Sequence, residues 1–188
     1  MFNPHIIATV NQRVLSLLAK FPDKEFYERQ IARNIGIGYG SANGALNELY
    51  STGAVRRRQE GKMYFYSADI SNTTIKEFKK LINMMLIEPL IEKLKNMTIK
   101  IVLYGSCAQG NDTSQSDLDL FIVSNERERV MQAIDKFSFP HGFENIHIQP
   151  VIKTPVELLE AGESEQAFLA EVEQGITLWE RVTNEPRL

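Results

Sequence analysis

Gly105-Ser106, then ten residues, then Asp117-Leu118-Asp119 is the stretch whose residue types and spacing could do chemistry. Side chains alternate along an extended chain, so the two carboxylates project to one side while Leu118 and Leu120 enter the core. A glycine and a serine where a strand hands over to a helical turn leave backbone N–H groups free to face an anion. Paired carboxylates beside such a cradle form a place for Mg²⁺ and a nucleoside triphosphate.

Two apolar runs must position these groups. Ile99 to Tyr104 reads as a buried strand leading into the Gly105-Ser106 turn, and Leu120 to Val123 continues from the acids as a second one. Gly-Ser, ten residues, Asp-x-Asp resembles the signature of the DNA polymerase β type nucleotidyltransferase superfamily in its minimal form. The likeness spans roughly residues 97 to 182, with Gly175 to Glu180 resembling the last strand. It implies that Asp117 and Asp119 bind Mg²⁺ or Mn²⁺. It also implies that Gly105, Ser106 and Ser116 hold the nucleotide, and that a nucleoside monophosphate passes to an acceptor hydroxyl. A protein substrate, such as a partner toxin, is one acceptor the resemblance allows.

The chain departs from the family in one place. Active members carry a third carboxylate on a following strand, here Asn145 to Ile152, where alternation sets His147 and Gln149 on one face and no acid is present. His147 is the candidate base or ligand in its place, and Glu144 lies just before the strand.

The N-terminal third follows a different pattern. Pro4 to Lys20 has helical spacing, Glu28 to Asn34 is a second helix, and Ser41 is placed to cap a third from Ala42 to Ser51. Ala54 to Gln59 and Lys62 to Tyr66 read as a hairpin around Glu60-Gly61. The order resembles the winged helix-turn-helix of prokaryotic transcription regulators, whose third helix enters the major groove. That resemblance makes Tyr39, Ser41, Asn43 and Asn47 candidates for groove contacts in DNA. Arg56, Arg57, Arg58 and Lys62 would meet phosphates. Residues 1–70 hold nine lysines and arginines against six acids, whereas residues 71–188 hold twelve against eighteen. The excess of positive charge thus sits on the side expected to meet DNA.

Ser71 to Lys95 has the apolar spacing of a long connecting helix that Pro89 should kink or divide. Its apolar width suits packing on a domain or on a second copy, and paired half-sites favour a homodimer. Glu126 to Phe137, a start at Thr154-Pro155, and Glu163 to Gln174 read as scaffold helices, with Glu171 on a solvated face.

The expected architecture is α+β: a winged helix over 1–70, a connecting helix over 71–96, and a nucleotidyltransferase-like domain with a small mixed sheet over 97–188. Composition is that of an ordinary globular protein, 43% hydrophobic and 24% charged. No run of about eighteen apolar residues and no leader pattern is visible, so the expected location is the cytoplasm and no membrane partner is expected. The lone cysteine, Cys107, falls inside the Gly-Ser turn, where a small residue is wanted and where oxidation could block the site. His5, His141 and His147 are too scattered for a zinc site. Two functions stay open: a Mg²⁺-dependent enzyme tethered by a DNA-binding domain, and a transcription regulator whose impaired nucleotidyltransferase-like domain binds nucleotide or only dimerises.

Overall fold

Thr9 opens the first helix, α1 (Val10–Lys20), through a reciprocal cap. Its hydroxyl accepts the Gln12 amide at 3.2 Å, and the Gln12 side chain accepts the Thr9 amide at 3.0 Å. The helix therefore starts later than its apolar pattern. Pro4 and His5 lie outside the described residues, which are 6–181 of this computed structural model, the Ser164 side chain excepted.

A short strand, β1 (Phe26–Tyr27), leads into α2 (Glu28–Ile35), which stops at Gly36. The next helix, α3 (Tyr39–Ser51), begins directly after Gly38 and not after Ser41. Extended Gly38 takes the capping position, and Ser41 lies on the exposed side inside the helix. Strands β2 (Val55–Glu60) and β3 (Met63–Ala68) pair antiparallel around Gly61 and Lys62, which puts Lys62 in the turn rather than in a strand. β1 pairs with the other edge of β3, giving the order β1-β3-β2.

Asn72 caps α4 (Thr73–Leu94) by accepting the Thr74 amide at 2.9 Å. Pro89 does not divide this helix, although a proline removes one helical hydrogen bond. Packing offsets that loss, because α4 is enclosed: Ile82, Met85, Leu86, Ile87, Leu90 and Leu94 are all buried. α1 lies against it, and so do two helices and the last strand of the C-terminal half. Leu86→Ala would cost about 2–5 kcal/mol in such a setting. Of the two partners its apolar width suited, a domain or a second copy, the structure shows the first: these residues pack within the chain.

A 3₁₀ turn over Lys95–Met97 leads to β4 (Lys100–Tyr104), α5 (Gly105–Gln109), β5 (Leu118–Val123), α6 (Arg127–Asp135) and β6 (Ile148–Lys153). α7 (Pro155–Leu159), α8 (Glu163–Glu173) and β7 (Ile176–Glu180) complete the described chain. The sheet has the order β6-β5-β4-β7, with β5 and β6 parallel and the other pairs antiparallel. It is mixed, as expected, and the chain is α+β.

Each sheet face has its own partner. Ile101, Leu103, Leu118, Leu120 and Ile122 join α4 in one hydrophobic core that continues to Leu17 of α1 and Leu46 of α3. Val102, Tyr104, Phe121 and Val123 face the other way, into a smaller cluster with Val172 of α8. Among the described residues, no helix is long and apolar enough to cross a membrane.

Candidate nucleotide and metal site

β4 ends at Tyr104, and Gly105 turns the chain into α5 with φ +66°, a conformation that side chains resist. Space makes the same demand, since a Cβ on Gly105 would lie 2.7 Å from Asp119 Oδ2. The glycine thus lets the Asp119 carboxylate pack directly against the backbone of the turn. Asp119 is opposite Tyr104 in the β4–β5 ladder, which fixes that approach.

Asp117 sits one residue before β5, and its carbonyl accepts the Cys107 S–H at 3.2 Å. Burial, then the charge of Asp117, then that of Glu171 raise the Asp119 carboxyl above its ordinary value. Burial, Asp119 and Glu171 likewise raise Tyr104. Neither Asp117 nor Asp119 makes a side-chain hydrogen bond or ion pair among the described residues. Two crowded carboxylates without a cation are a site suited to one. Among the described residues, no three His, Cys, Asp or Glu side chains group as metal ligands. A Mg²⁺ ion needs no such cage, because it commonly takes one or two carboxylates and completes its shell with phosphate and water. The donors present therefore fit.

The place expected for a third acid is occupied by Gln149, which pairs with Asp119 in the parallel β5–β6 register and is exposed. His147 precedes the strand rather than lying in it. Its carbonyl accepts the Leu118 amide at 2.8 Å, which sets it beside Asp117. Glu144 is engaged elsewhere, with His141 at 2.6 Å and the Gly142 amide at 2.8 Å, so it closes a turn. Ser116 accepts the Thr113 amide at 3.0 Å and shapes the loop before the acids. Cys107 is fully buried and its thiol is pushed up to about 12, chiefly by burial, so it stays protonated and shielded. The acid that sequence reasoning missed is Glu171. It comes from α8, far along the chain, and only the packing of that helix over the sheet brings its charge to Asp119.

On the N-terminal unit, the candidates for DNA contact have internal partners. Tyr39 Oη donates to Glu28, Asn43 Nδ2 donates to the same carboxylate at 2.9 Å, and Asn47 donates to Asn43 at 3.0 Å. Arg56 pairs with Asp69 at 2.6 Å, while Arg58 pairs with Glu25 and Glu60, each at 2.7 Å. Arg57 lies over the rings of Tyr50 and Tyr64, 4.0 and 4.5 Å from their centroids. Ser41 and Lys62 have no such partner among the described residues.

Comparison with known proteins adds three findings. No curated protein matches the chain. Among solved structures it is similar to reduced HlyU from Vibrio cholerae N16961, at 22% identity over 44% of this chain and 75% of that one, with a TM-score of 0.30, too slight to carry an argument. The nucleotidyltransferase domain family matches residues 84–177, half of the chain and the half that holds the Gly105 turn and both acids. By that match, the chain belongs to the nucleotidyltransferase domain family.

Proposed function

We propose that the chain binds a nucleoside triphosphate and transfers its nucleoside monophosphate to an acceptor hydroxyl, and that the N-terminal unit is a winged helix-turn-helix that binds DNA. The observation that carries the first part is the contact of the Gly105 turn with Asp119, beside a second unpaired carboxylate. Asp117 and Asp119 would hold Mg²⁺ or Mn²⁺, and the amides of Gly105 and Ser106 would face the phosphates. A divalent ion held by these carboxylates would supply positive charge against that of the triphosphate. The acceptor oxygen forms a bond to the α-phosphorus, and the bond from that phosphorus to the bridging oxygen breaks. Its electron pair leaves with pyrophosphate. The hydroxyl proton goes to a base, a role this reading gives to His147.

The DNA half rests on the order of three helices and a hairpin and on the basic residues at the hairpin. Tyr39, Ser41, Asn43 and Asn47 of α3 would face the groove; Arg56, Arg57, Arg58 and Lys62 would meet phosphates. Paired half-sites would make the protein a homodimer, acting in the cytoplasm. A second reading has its own support, because Gln149 stands beside Asp119 where the third acid would be. In that reading the chain is a transcription regulator whose nucleotidyltransferase domain binds nucleotide without turnover.

Labelled ATP with Mg²⁺ or Mn²⁺ separates these readings. Binding and label transfer by the parent chain, with binding reduced about 100-fold in Asp117→Asn and in Asp119→Asn, is the expected result, since a metal ligand contributes several kcal/mol. Binding without transfer selects the regulator. Binding that survives both substitutions removes the metal site.

A further inference from the structure

The loop from Gly110 to Asp117 joins α5 to β5 and presents the first acid, yet two of its anchors, Lys20 and Asp23, belong to the N-terminal unit. Near its start, Lys20 Nζ at the end of α1 donates to Asp112 Oδ2 at 2.7 Å, both groups fully buried. Three residues further along α1's exit, the exposed Asp23 carboxylate accepts the Ser114 amide at 2.7 Å and the Ser114 hydroxyl at 2.5 Å. The far end of the loop returns to the same buried centre. Asn83 of α4 donates to Asp112 Oδ1 at 3.1 Å and to the Cys107 carbonyl at 2.9 Å, and the Cys107 thiol donates to the Asp117 carbonyl. Lys79 completes the centre with Asp112 at 3.2 Å.

Stability alone is a weak reason for this arrangement. Apolar residues of similar volume often replace a buried ion pair at no cost or with gain, whereas buried charges demand one geometry. What the centre fixes is the position of both loop ends and of the Gly105 turn.

We propose that Lys20 and Asp23 are positioning residues of the nucleotide site, supplied by the N-terminal unit: they set the loop that carries Asp117. The binding arm of this proposal rests on the nucleotide reading above; the loop arm does not. Asp23 is the sharper probe, because its contact is exposed and its loss should leave the fold intact.

Hydrogen exchange of the full chain without ligand reads the loop directly. In Asp23→Ala, and equally in Ser114→Ala, exchange across residues 112–117 should rise about tenfold while that of α3 and β6 is unchanged. The double variant should add nothing further, since both remove one contact. Mg·ATP affinity should fall by about the same factor in each, with melting temperature nearly unchanged. Lys20→Met should act in the same direction and more strongly if it folds. Unaltered loop exchange in Asp23→Ala would overturn the proposal, and so would a loosened loop with parental Mg·ATP affinity, which would make the contact merely structural. A parent chain that binds no Mg·ATP would sink the nucleotide reading, and the exchange arm alone would then decide whether these residues set the loop.

Discussion

The α3–hairpin surface and the end of the mixed sheet hold most of the candidate functional side chains, and they differ in how their charges are met. On the first, Glu28, Glu25, Glu60 and Asp69 already engage Tyr39, Asn43, Arg58 and Arg56. At the second, the charge of Asp117 bears on Asp119, and neither is paired with a basic side chain among the described residues. A surface whose charges are internally paired can remain as it is in water; exposed pairs of this kind are worth about 0–1 kcal/mol, so phosphates can displace them cheaply. Two adjacent carboxylates are different. A proton or a bound cation would relieve their repulsion, and the proposed metal site would supply the latter.

The largest effect that would test this contrast is expected in Asp119→Asn. Removing one of the crowded charges should raise the melting temperature of the ligand-free protein by a few degrees while Mg²⁺ affinity collapses, opposite signs that reflect an acid held for binding rather than for stability. The pH dependence follows in sign. Because folding raises the Asp119 pKa, the folded state binds its proton more tightly, and stability contributed by this group falls as pH rises from about 4, the unfolded value, through the raised one. Calorimetry across that range should show the fall in the parent and lose it in Asp119→Asn; an identical profile in both would break the comparison.

A smaller effect should come from Gln149→Glu, which places a third carboxylate in register with Asp119. Mg²⁺ should bind about tenfold more tightly by titration calorimetry, the ligand-free melting temperature should drop by a few degrees, and label transfer, if the parent performs it weakly, should rise. No gain in metal affinity would place residue 149 outside the site. The smallest effects belong to the hairpin. Lys62, without an ion-pair partner among the described residues, should lower the slope of log affinity against log salt by about 1 when changed to Ala, and Arg58→Ala should lower it less, because Arg58 must first leave Glu25 and Glu60. Equal slopes in the two variants would mean that internal pairing does not tune this surface.

What could be read before the structure was largely local. The Gly105 turn, the alternation of Asp119 with Leu118 and Leu120, and the helix start at Thr154 each depend on a few consecutive residues, and each is present. Ser41 misled because its capping chemistry was sound but Gly38 reached the capping position first. His147 and Gln149 were read onto one face of a strand, yet the strand begins at Ile148, and its pairing with β5 makes Gln149 the neighbour of Asp119. Glu171 and the Lys20–Asp112 pair were illegible for one reason: their partners come from distant segments, and no periodicity encodes which charges will meet across the fold.

The enclosure of α4 bears on how such a chain can change over time. Its buried residues contact α1 on one side and the mixed sheet on the other, so this helix is owned by neither half. A gene rearrangement that exchanged the first seventy residues for another head would strip α1 from α4 and leave Asp112 without Lys20. Innovation in this lineage is therefore expected to proceed by substitution on the two outer faces, with the helix between them inherited together with both its neighbours.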